Sequence, residues 1–448
     1  MLTLSLVWAA LTAQAWADPE APASEDPTST APTEAEEDAP ASEAEVPPST
    51  EPEASSAEEL DLAAIEAALA ADLGGVGPAS EEPAPVQPSG PLGAVVTALN
   101  PDMAIILDVA LAAFSGDSPG LLQTGAHDPR VNGFNLQQLE LSLGGAVDPY
   151  FRFDANLVFS EFGVEVEEAY ATSLSLPART QVRLGQFLTR FGRVNPTHPH
   201  TWAFVDQNLL IGRLFGGEGN RGLGAEVSWL APLPWYVELV LSETMITSEA
   251  TDRSWAAFAP LGVSGPLDLQ TTLSAKQFFG PTPAWSILWG LNYAGGPNGT
   301  GRANRSELYG TDLTLFYRPL RGDGKATAVR VETEWVLRRR QVPGDVLQDL
   351  NGFVQSTVRF LPRWDTGVRW ELGTPELGRD GEVHELALDP HWVSTRQRIS
   401  AAVTYRPTEF SRFRLQVARD AADWMVAPGW SAFLAFEANA GAHGAHSF

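Results

Sequence analysis

Two histidines that flank a proline have the spacing most suggestive of chemistry in this 448-residue chain. His198 and His200 lie on either side of Pro199, so both imidazoles could face one ligand. A zinc site in a protein needs three or four donors, and Asp206 is the candidate for the third. The alternative is that the segment packs against the rest of the protein through hydrogen bonds. The sequence leaves both interpretations open.

Other chemistry is not indicated. A hydrolytic site needs a Ser or Asp beside a positioned His. The histidines that lie in the long connections between the predicted strands are His127, His198, His200, His384 and His391. No Gly-x-Ser-x-Gly, His-Glu-x-x-His or phosphate-binding loop occurs. The chain has no cysteine, which excludes disulfides and thiolate ligands. A net charge of −27 disfavours nucleic-acid binding. We therefore predict no enzymatic activity, no cofactor and no nucleic-acid partner.

Charged residues alternate with apolar ones along extended stretches of the chain. In residues 326–338, Arg330 and Glu332 alternate with Val329 and Val331. Successive side chains of a strand point to opposite faces, so one face is charged and the other apolar. A soluble sandwich would bury such charges at a cost of several kcal/mol per ion, whereas a water-filled lumen leaves them hydrated. The pattern favours a barrel with an aqueous interior over a sandwich.

The predicted inner-facing charges differ between the two halves of the chain. The acidic ones come mostly from the first eight strands and are Glu140, Asp154, Glu165, Glu167, Glu238 and Asp268. The basic ones come from the last six strands and are Arg330, Arg338, Arg359, Arg369, Arg396, Arg398, Arg406, Arg412 and Arg414. Opposed charges across a pore would create a transverse field, and rings of Arg favour anions. The alternative is that these charges pair along the wall.

Sixteen predicted strands must position these residues. Their cores are 105–114, 134–147, 150–161, 163–174, 180–192, 222–231, 234–245, 267–280, 284–295, 306–318, 326–340, 347–361, 364–373, 394–406, 411–420 and 429–440. Most have the roughly 9–11 residues that a tilted strand needs to cross a membrane. Seven proline-marked tight turns recur, at Pro149, Pro177, Pro232/Pro234, Pro281/Pro283, Pro319, Pro362 and Pro407. Sixteen strands with both termini on one side have seven turns there, so we predict an all-β, antiparallel transmembrane β-barrel.

The residues before the barrel have a different composition. Residues 1–17 form an apolar run ending in Ala15-Trp16-Ala17, which predicts a signal peptide. Residues 18–90 carry 19 acidic and no basic residues, so we predict that the acidic, Pro/Ala-rich segment 18–98 is a disordered periplasmic tail. Apolar residues spaced as on one helix face allow a short helix at 58–73. The predicted barrel occupies residues 99–448.

Three stretches carry a resemblance to a known family. They are 99–108, 133–170 and 185–210, chiefly through the sequences VDPYF, VEVEEAY and HPHTWAFVD. These stretches resemble Gram-negative outer-membrane proteins often labelled zinc-regulated TonB-dependent receptors. The later strands are similar in pattern to phosphate-selective porins. A TonB-dependent receptor has a barrel of about 22 strands around a folded plug, whereas about 350 residues are available here, so we predict a porin-like barrel.

The porin resemblance implies a role for residues 193–221, the third outer connection. In trimeric porins the equivalent loop folds into the lumen and forms the narrowest point, and a homotrimer is one implied assembly. The constriction candidates mix aromatic and charged side chains, and they are His198, His200, Trp202, Asp206, Asn208 and Arg213. The C-terminal Phe448 is the terminal aromatic residue through which the outer-membrane assembly machinery would insert the chain.

Together these features predict a passive channel for small hydrophilic solutes, surrounded by outer-membrane lipid. A preference for anions over cations is one expectation for this channel. The alternative function is a receptor or uptake protein for a metal ion such as zinc, with His198 and His200 as ligands. Zinc binding by that pair would favour the alternative.

Overall fold

The computed structural model describes residues 102–116, 122–160, 163–256, 265–301, 303–319, 327–384 and 391–441. The predicted signal peptide, the predicted acidic tail with its helix at 58–73, and Phe448 lie outside the described residues. Within the described ranges, no helix has the length and apolar character needed to cross a membrane.

Sixteen antiparallel strands form one closed barrel, in which each strand pairs with its neighbours in sequence and β1 pairs with β16. The strands are β1 (Asp102–Phe114), β2 (Gly133–Ala146), β3 (Phe151–Ser160), β4 (Gly163–Ser173), β5 (Thr180–Leu188), β6 (Arg221–Leu230), β7 (Tyr236–Thr244), β8 (Gln270–Thr282), β9 (Trp285–Pro297), β10 (Arg305–Tyr317), β11 (Ala328–Val342), β12 (Asp345–Leu361), β13 (Trp364–Gly373), β14 (Arg396–Thr408), β15 (Ser411–Ala422) and β16 (Gly429–Gly441). The predicted fold class is confirmed. Each predicted core overlaps one strand, and the largest boundary error is in β5, which ends at Leu188.

The connections at one end of the barrel are mostly short, whereas the opposite end has the longest connections together with short ones such as 343–344. Those at the first end are 147–150, 174–179, 231–235, 283–284, 318–327, 362–363 and 409–410. Each contains or closely follows one of the predicted prolines, because proline fixes φ and cannot donate to the next strand. The longest connection at the opposite end is 189–220, between β5 and β6. We call residues 189–220 the pore loop.

The described helices are short and lie in the connections. They are α1 (Leu209–Leu214), α2 (Glu249–Asp252) and three 3-10 turns, Pro177–Arg179, Pro199–Thr201 and Pro266–Asp268. Asn208 caps α1, because its side-chain oxygen accepts a hydrogen bond from the Ile211 N–H at 2.9 Å. Asp268 lies in a 3-10 turn before β8, so its prediction as an inner-wall residue was wrong.

The outer face of the barrel is apolar. Ile399 and Leu415 point outward with 55% of their surface exposed, although both are large aliphatic residues. Aromatic pairs lie near the short-connection end, including Trp364 and Tyr405, whose ring centroids are 4.7 Å apart. An apolar band flanked by aromatic residues is the outer surface that a transmembrane barrel needs.

Candidate pore-lining site

The pore loop crosses the barrel lumen to the opposite wall. The Val205 N–H donates to the side chain of Gln416 on β15 at 2.6 Å. The Leu209 N–H donates to Glu371 Oε1 on β13 at 2.7 Å. Strand side chains from the far wall therefore satisfy loop backbone groups that secondary structure leaves unpaired. The loop is held on both sides of the lumen.

Asp206 is the charged anchor of this crossing. Its carboxylate is fully buried and pairs with Arg369 on β13 and with Arg398 Nη1 on β14, the latter at 2.9 Å. Gln416 Nε2 donates to the same carboxylate at 2.7 Å. Burial alone would raise the pKa of Asp206, but Arg369 and Arg398 outweigh it and hold the pKa below its ordinary value. The anchor therefore stays ionised down to acidic pH.

Two further arginines of β15 bind the backbone of the loop. Arg412 donates to the carbonyl of His200 at 2.6 Å and to that of Trp202 at 2.9 Å. Arg414 donates to the carbonyl of Phe204 at 3.1 Å. Guanidinium groups suit this task because they carry five donors in a fixed plane. These bonds leave the arginines less available to a passing solute.

Apolar packing holds the other part of the loop. Phe191, α1 and Phe215 form a buried cluster with inward-facing strand residues and with residues on either side of α2. The members outside the loop are Ile246, Trp255, Ala256, Ala294, Leu308, Val336 and Phe353. The interior of the barrel thus contains a small hydrophobic core on the loop side. The loop narrows the lumen by filling it, rather than by projecting a few side chains into water.

The two histidines of the loop do not share a ligand with Asp206. His198 contacts Glu167 through Nδ1 at 3.0 Å and Glu168 through Nε2 at 2.9 Å. His200 contacts Glu140 through Nδ1 at 3.0 Å. The prediction of Asp206 as a third donor beside the histidines was therefore wrong, because Asp206 is bound by arginines instead.

The surroundings of His198 keep it charged. Burial opposes protonation, but the carboxylates of Glu167 and Glu140 outweigh it and hold the pKa of His198 well above its ordinary value. An imidazolium has two donors and no lone pair for a metal. His198 therefore serves as a hydrogen-bond donor between two wall carboxylates, which is the packing interpretation of the histidine pair.

Two β-bulges place pairs of adjacent polar residues inside the barrel. In β4 the register shifts so that Glu167 is an extra residue, and both Glu167 and Glu168 are buried. In β2 the same happens at Gln137, and both Gln137 and Gln138 are buried. A bulge breaks the period of two, so consecutive side chains point to one face. Glu167 was predicted to face inward, and alternation from Glu140 puts Gln138 on the same face. Strict alternation places Gln137 and Glu168 outward, and the doubled residues Gln-Gln and Glu-Glu were the available signal for them.

A cavity of about 1890 Å³ lies inside the barrel beside the pore loop. Many predicted site residues line it, namely Glu140, Asp154, His198, His200, Trp202, Asp206, Asn208, Glu238, Arg330, Arg359, Arg369, Arg406 and Arg412. Several other predicted site residues are buried away from this cavity. Arg213 packs over the ring of Trp392 and donates to Asn351 at 2.8 Å, so it does not face the cavity as predicted. Arg396, Arg398 and Arg414 are buried under the loop.

The predicted division into an acidic and a basic half of the wall was wrong. Eleven acidic and eleven basic side chains line the cavity, and both types come from both halves of the chain. Arg152 and Arg183 belong to the first half, and Glu332 and Glu437 to the second. The arginines of the last six strands have local partners, because burying a guanidinium without one is costly. Three of these pairs are Arg359–Asp365, Arg396–Asp420 and Arg414–Asp108, at 2.7–2.8 Å.

Comparisons with known proteins agree with the fold. No family model matches the sequence. The channel DcaP of Acinetobacter baumannii has a TM-score of 0.51 at 13% identity, covering 76% of this chain and 96% of its own. A trimer form of OmpT of Vibrio cholerae has a TM-score of 0.49 at 9% identity, covering 76% and 99%. At 13% identity the likeness to DcaP shows a shared barrel fold alone, and the TonB-dependent receptor label gains no support.

One relative is similar over most of the sequence. It is an uncharacterised protein of Aquifex aeolicus strain VF5, 31% identical over 363 residues, which cover 72% of this chain and 74% of the relative. A sequence identity of 31% over most of both chains shows that the two proteins share a common ancestor. The chain belongs to the family of this Aquifex aeolicus protein.

Proposed function

We propose that this protein is an outer-membrane channel for the passive diffusion of small hydrophilic solutes, with the pore loop as its constriction. One observation carries the proposal, the charged cavity of about 1890 Å³ inside a closed barrel with an apolar outer face. Charged side chains that face water cost little, whereas in a dry interior they would be expensive. The channel named DcaP, which shares the fold, agrees with this function.

The orientation follows from the connections. We propose that the short, proline-marked connections lie in the periplasm with the acidic tail, and that the pore loop is reached from outside, as in bacterial barrels with short periplasmic turns. Protease added to spheroplasts would then trim the tail and leave the barrel intact.

Electrical recording tests the channel. Purified full-length protein in a planar lipid bilayer should give stepwise, ohmic conductance. Before recording, the folded state is verified by the slower migration of an unheated sample in detergent gel electrophoresis. A correctly folded barrel that remains electrically silent would contradict the proposal.

The pattern of ion pairing suggests which residues set selectivity. Most cavity arginines have acidic partners, but Arg193 on the pore loop has none within 4.0 Å among the described residues. Lys276 on β8 donates to the carbonyl of Gly192 at 2.9 Å and likewise has no described acidic partner at that distance. Uncompensated positive charge beside a constriction favours anions. We propose a weak anion preference that depends on these two residues.

Replacing Arg193 by glutamine should weaken that preference. A unit positive charge about 8 Å from a hydrated ion favours an anion by about 0.5 kcal/mol and disfavours a cation by the same amount, so the ratio of anion to cation permeability should fall about fivefold. The reversal potential in a salt gradient measures this ratio. Arg379→Gln makes the same charge change at an exposed position outside the cavity and should leave the reversal potential unchanged. Equal values for wild type and Arg193→Gln would refute the assignment.

A further inference from the structure

We propose that His127, Glu167 and Glu218 form a binding site for one divalent transition-metal ion. His127 lies in the first outer connection, Glu167 on β4, and Glu218 at the end of the pore loop. A metal bound here would join three chain segments that are distant in sequence. It would fix the returning end of the pore loop to the barrel wall.

The donor atoms have the separation that a small metal requires. One ligand atom from each residue lies within 4.8 Å of the other two. His127 Nε2 and Glu218 Oε2 are 3.4 Å apart. Bonds of about 2.0–2.2 Å at tetrahedral angles place two ligand atoms about 3.4 Å apart. A direct charged hydrogen bond would be shorter, at about 2.7–2.9 Å. The spacing is therefore closer to that of two ligands than to that of a bonded pair.

Two of these donor atoms are buried without a hydrogen bond. Neither His127 Nε2 nor Glu218 Oε2 makes a hydrogen bond of ordinary geometry with a described residue, and the two atoms face each other as a loose ion pair at 3.4 Å. Only 13% and 10% of the two side chains are exposed. Buried polar atoms without partners are rare and point to a missing ligand. A cavity of about 20 Å³ is lined by all three residues, and this volume is sufficient for a single water molecule or ion.

Neighbouring groups orient the three donors. His127 Nδ1 lies 3.3 Å from the carbonyl of Gln137, so the ring can donate there and leave Nε2 with its lone pair. His198 Nδ1 lies 3.0 Å from a carboxylate oxygen of Glu167. Both contacts depend on the bulges, because Gln137 and Glu167 are the extra residues of β2 and β4. One neutral imidazole and two carboxylates also balance the charge of a divalent ion.

A proton competes with the metal for His127. Burial opposes protonation of the ring, but the carboxylate of Glu218 outweighs it and raises the pKa of His127 to about 9. A metal ion that binds Nε2 therefore releases this proton, as is usual for imidazole ligands.

Nearby positive charges have other carboxylates to neutralise them. Arg221 lies 3.9 Å from Glu218 but makes a closer contact with Glu165. His198 also contacts Glu168 at 2.9 Å. Arg221 does not depend on Glu218 alone for compensation, and His198 does not depend on Glu167 alone, so both cations keep a carboxylate partner when Glu218 and Glu167 bind a metal ion.

Two other groups of potential ligands fit a metal less well. In the group Glu140, Glu167 and His198, the histidine already uses both ring nitrogens for carboxylates at about 3 Å. In the group Asp345, Asp380 and His384, side chains are up to 62% exposed, and no described cavity surrounds them. Neither group combines burial, a cavity and unpartnered donor atoms.

Zinc binding to the full-length protein tests the site. Protein refolded in metal-free buffer should bind one zinc ion in isothermal titration calorimetry, and bound Co²⁺ should give the visible absorption of a low-symmetry site. Glu218→Gln should weaken zinc binding by more than about 100-fold, since loss of a ligand costs at least as much as loss of a residue that orients one. The exposed His384→Gln variant is the matched control and should bind like wild type.

Three outcomes would overturn the proposal. The first is absence of zinc binding at 100-fold excess over micromolar protein, which would leave an ion pair of His127 and Glu218 only. The second is loss of binding in His384→Gln but not in Glu218→Gln. The third is equal binding by wild type and Glu218→Gln when both migrate as folded barrels. Channel conductance is not part of the readout, so this test is independent of the proposed transport function.

Discussion

Replacing Asp206 by alanine should release the pore loop from the far wall, raise single-channel conductance and lower the free energy of unfolding. Arg369 and Arg398 both contact the buried carboxylate of Asp206, and the substitution removes this shared partner. Removing one partner from a buried ion pair costs about 3–5 kcal/mol when the other charge is left unpaired. Arg369 keeps Glu371 and Arg398 keeps Asp420, each at 3.0 Å, so the cost should lie below that range. The structure can recover part of this cost by moving the loop and admitting water to the arginines, and that movement widens the lumen.

Conductance and limited trypsin digestion measure the release separately. Arg213 is fully buried in the folded loop, so trypsin should cut there only after the loop has moved. Asp423→Ala, the same substitution at an exposed position of an outer connection, should leave both conductance and digestion unchanged. Wild-type conductance and trypsin resistance in a folded Asp206→Ala barrel would show that the loop does not depend on this anchor.

The anchor should also weaken in acid. The pKa of Asp206 is lowered in the folded protein, so its contribution to stability is present above the pKa of an unfolded Asp, about 4. That contribution is lost as the pH falls from there through the lowered folded value. The conductance of the wild type should therefore rise below about pH 4, and the Asp206→Ala variant should lack this part of the response.

Replacing Trp255 by alanine should destabilise the apolar side of the pore loop. The side chain is 1% exposed, stacks on Phe215 with ring centroids 6.1 Å apart, and donates to the carbonyl of Ser306 at 2.9 Å. Loss of a buried tryptophan side chain costs about 3–5 kcal/mol, because the cavity left behind closes only partly. We expect a matching decrease in the free energy of unfolding.

Urea unfolding in lipid vesicles, followed by circular dichroism, measures this decrease. Trp424→Ala removes a partly buried tryptophan from the outer connection 423–428, outside the apolar cluster, and should cost much less. If the two variants lose equal stability, the cluster around Trp255 does not act as a core. Trp255→Ala should leave the ion pairs of Asp206 intact. Trypsin should therefore cut at Arg213 more slowly in Trp255→Ala than in Asp206→Ala.

Asp206→Ala and Trp255→Ala both test how the pore loop is attached inside the barrel. The pore loop is held by ion pairs to β13 and β14 and by apolar packing against β9 to β12. The buried ion pairs add directional contacts, whereas the apolar cluster excludes water. A loop that depends on both cannot move as a freely hinged segment. Widening of the channel therefore requires exposure of buried groups to water.

The barrel itself could be predicted because its signals are local. Alternation of apolar and charged residues and the spacing of proline turns each extend over a few residues, and they repeat sixteen and seven times. A period of two specifies which face meets lipid without knowledge of any partner strand. The strand number and the sequence position of the third outer connection followed from counting these repeats, whereas its placement in the lumen was implied by the porin resemblance.

The sequence pattern indicated the fold class, the strand order and the histidines of the long connection after β5, and the resemblance to porins implied that this connection enters the lumen. Only the tertiary structure decided the partners of each charge. Asp206 binds arginines more than 160 residues away, and two one-residue bulges add Glu168 and Gln137 to the inner face, where they contact His198 and His127. The physical reason is that alternation is a property of neighbouring residues, whereas ion pairing inside a barrel depends on the register of many strands and on the path of a loop between them.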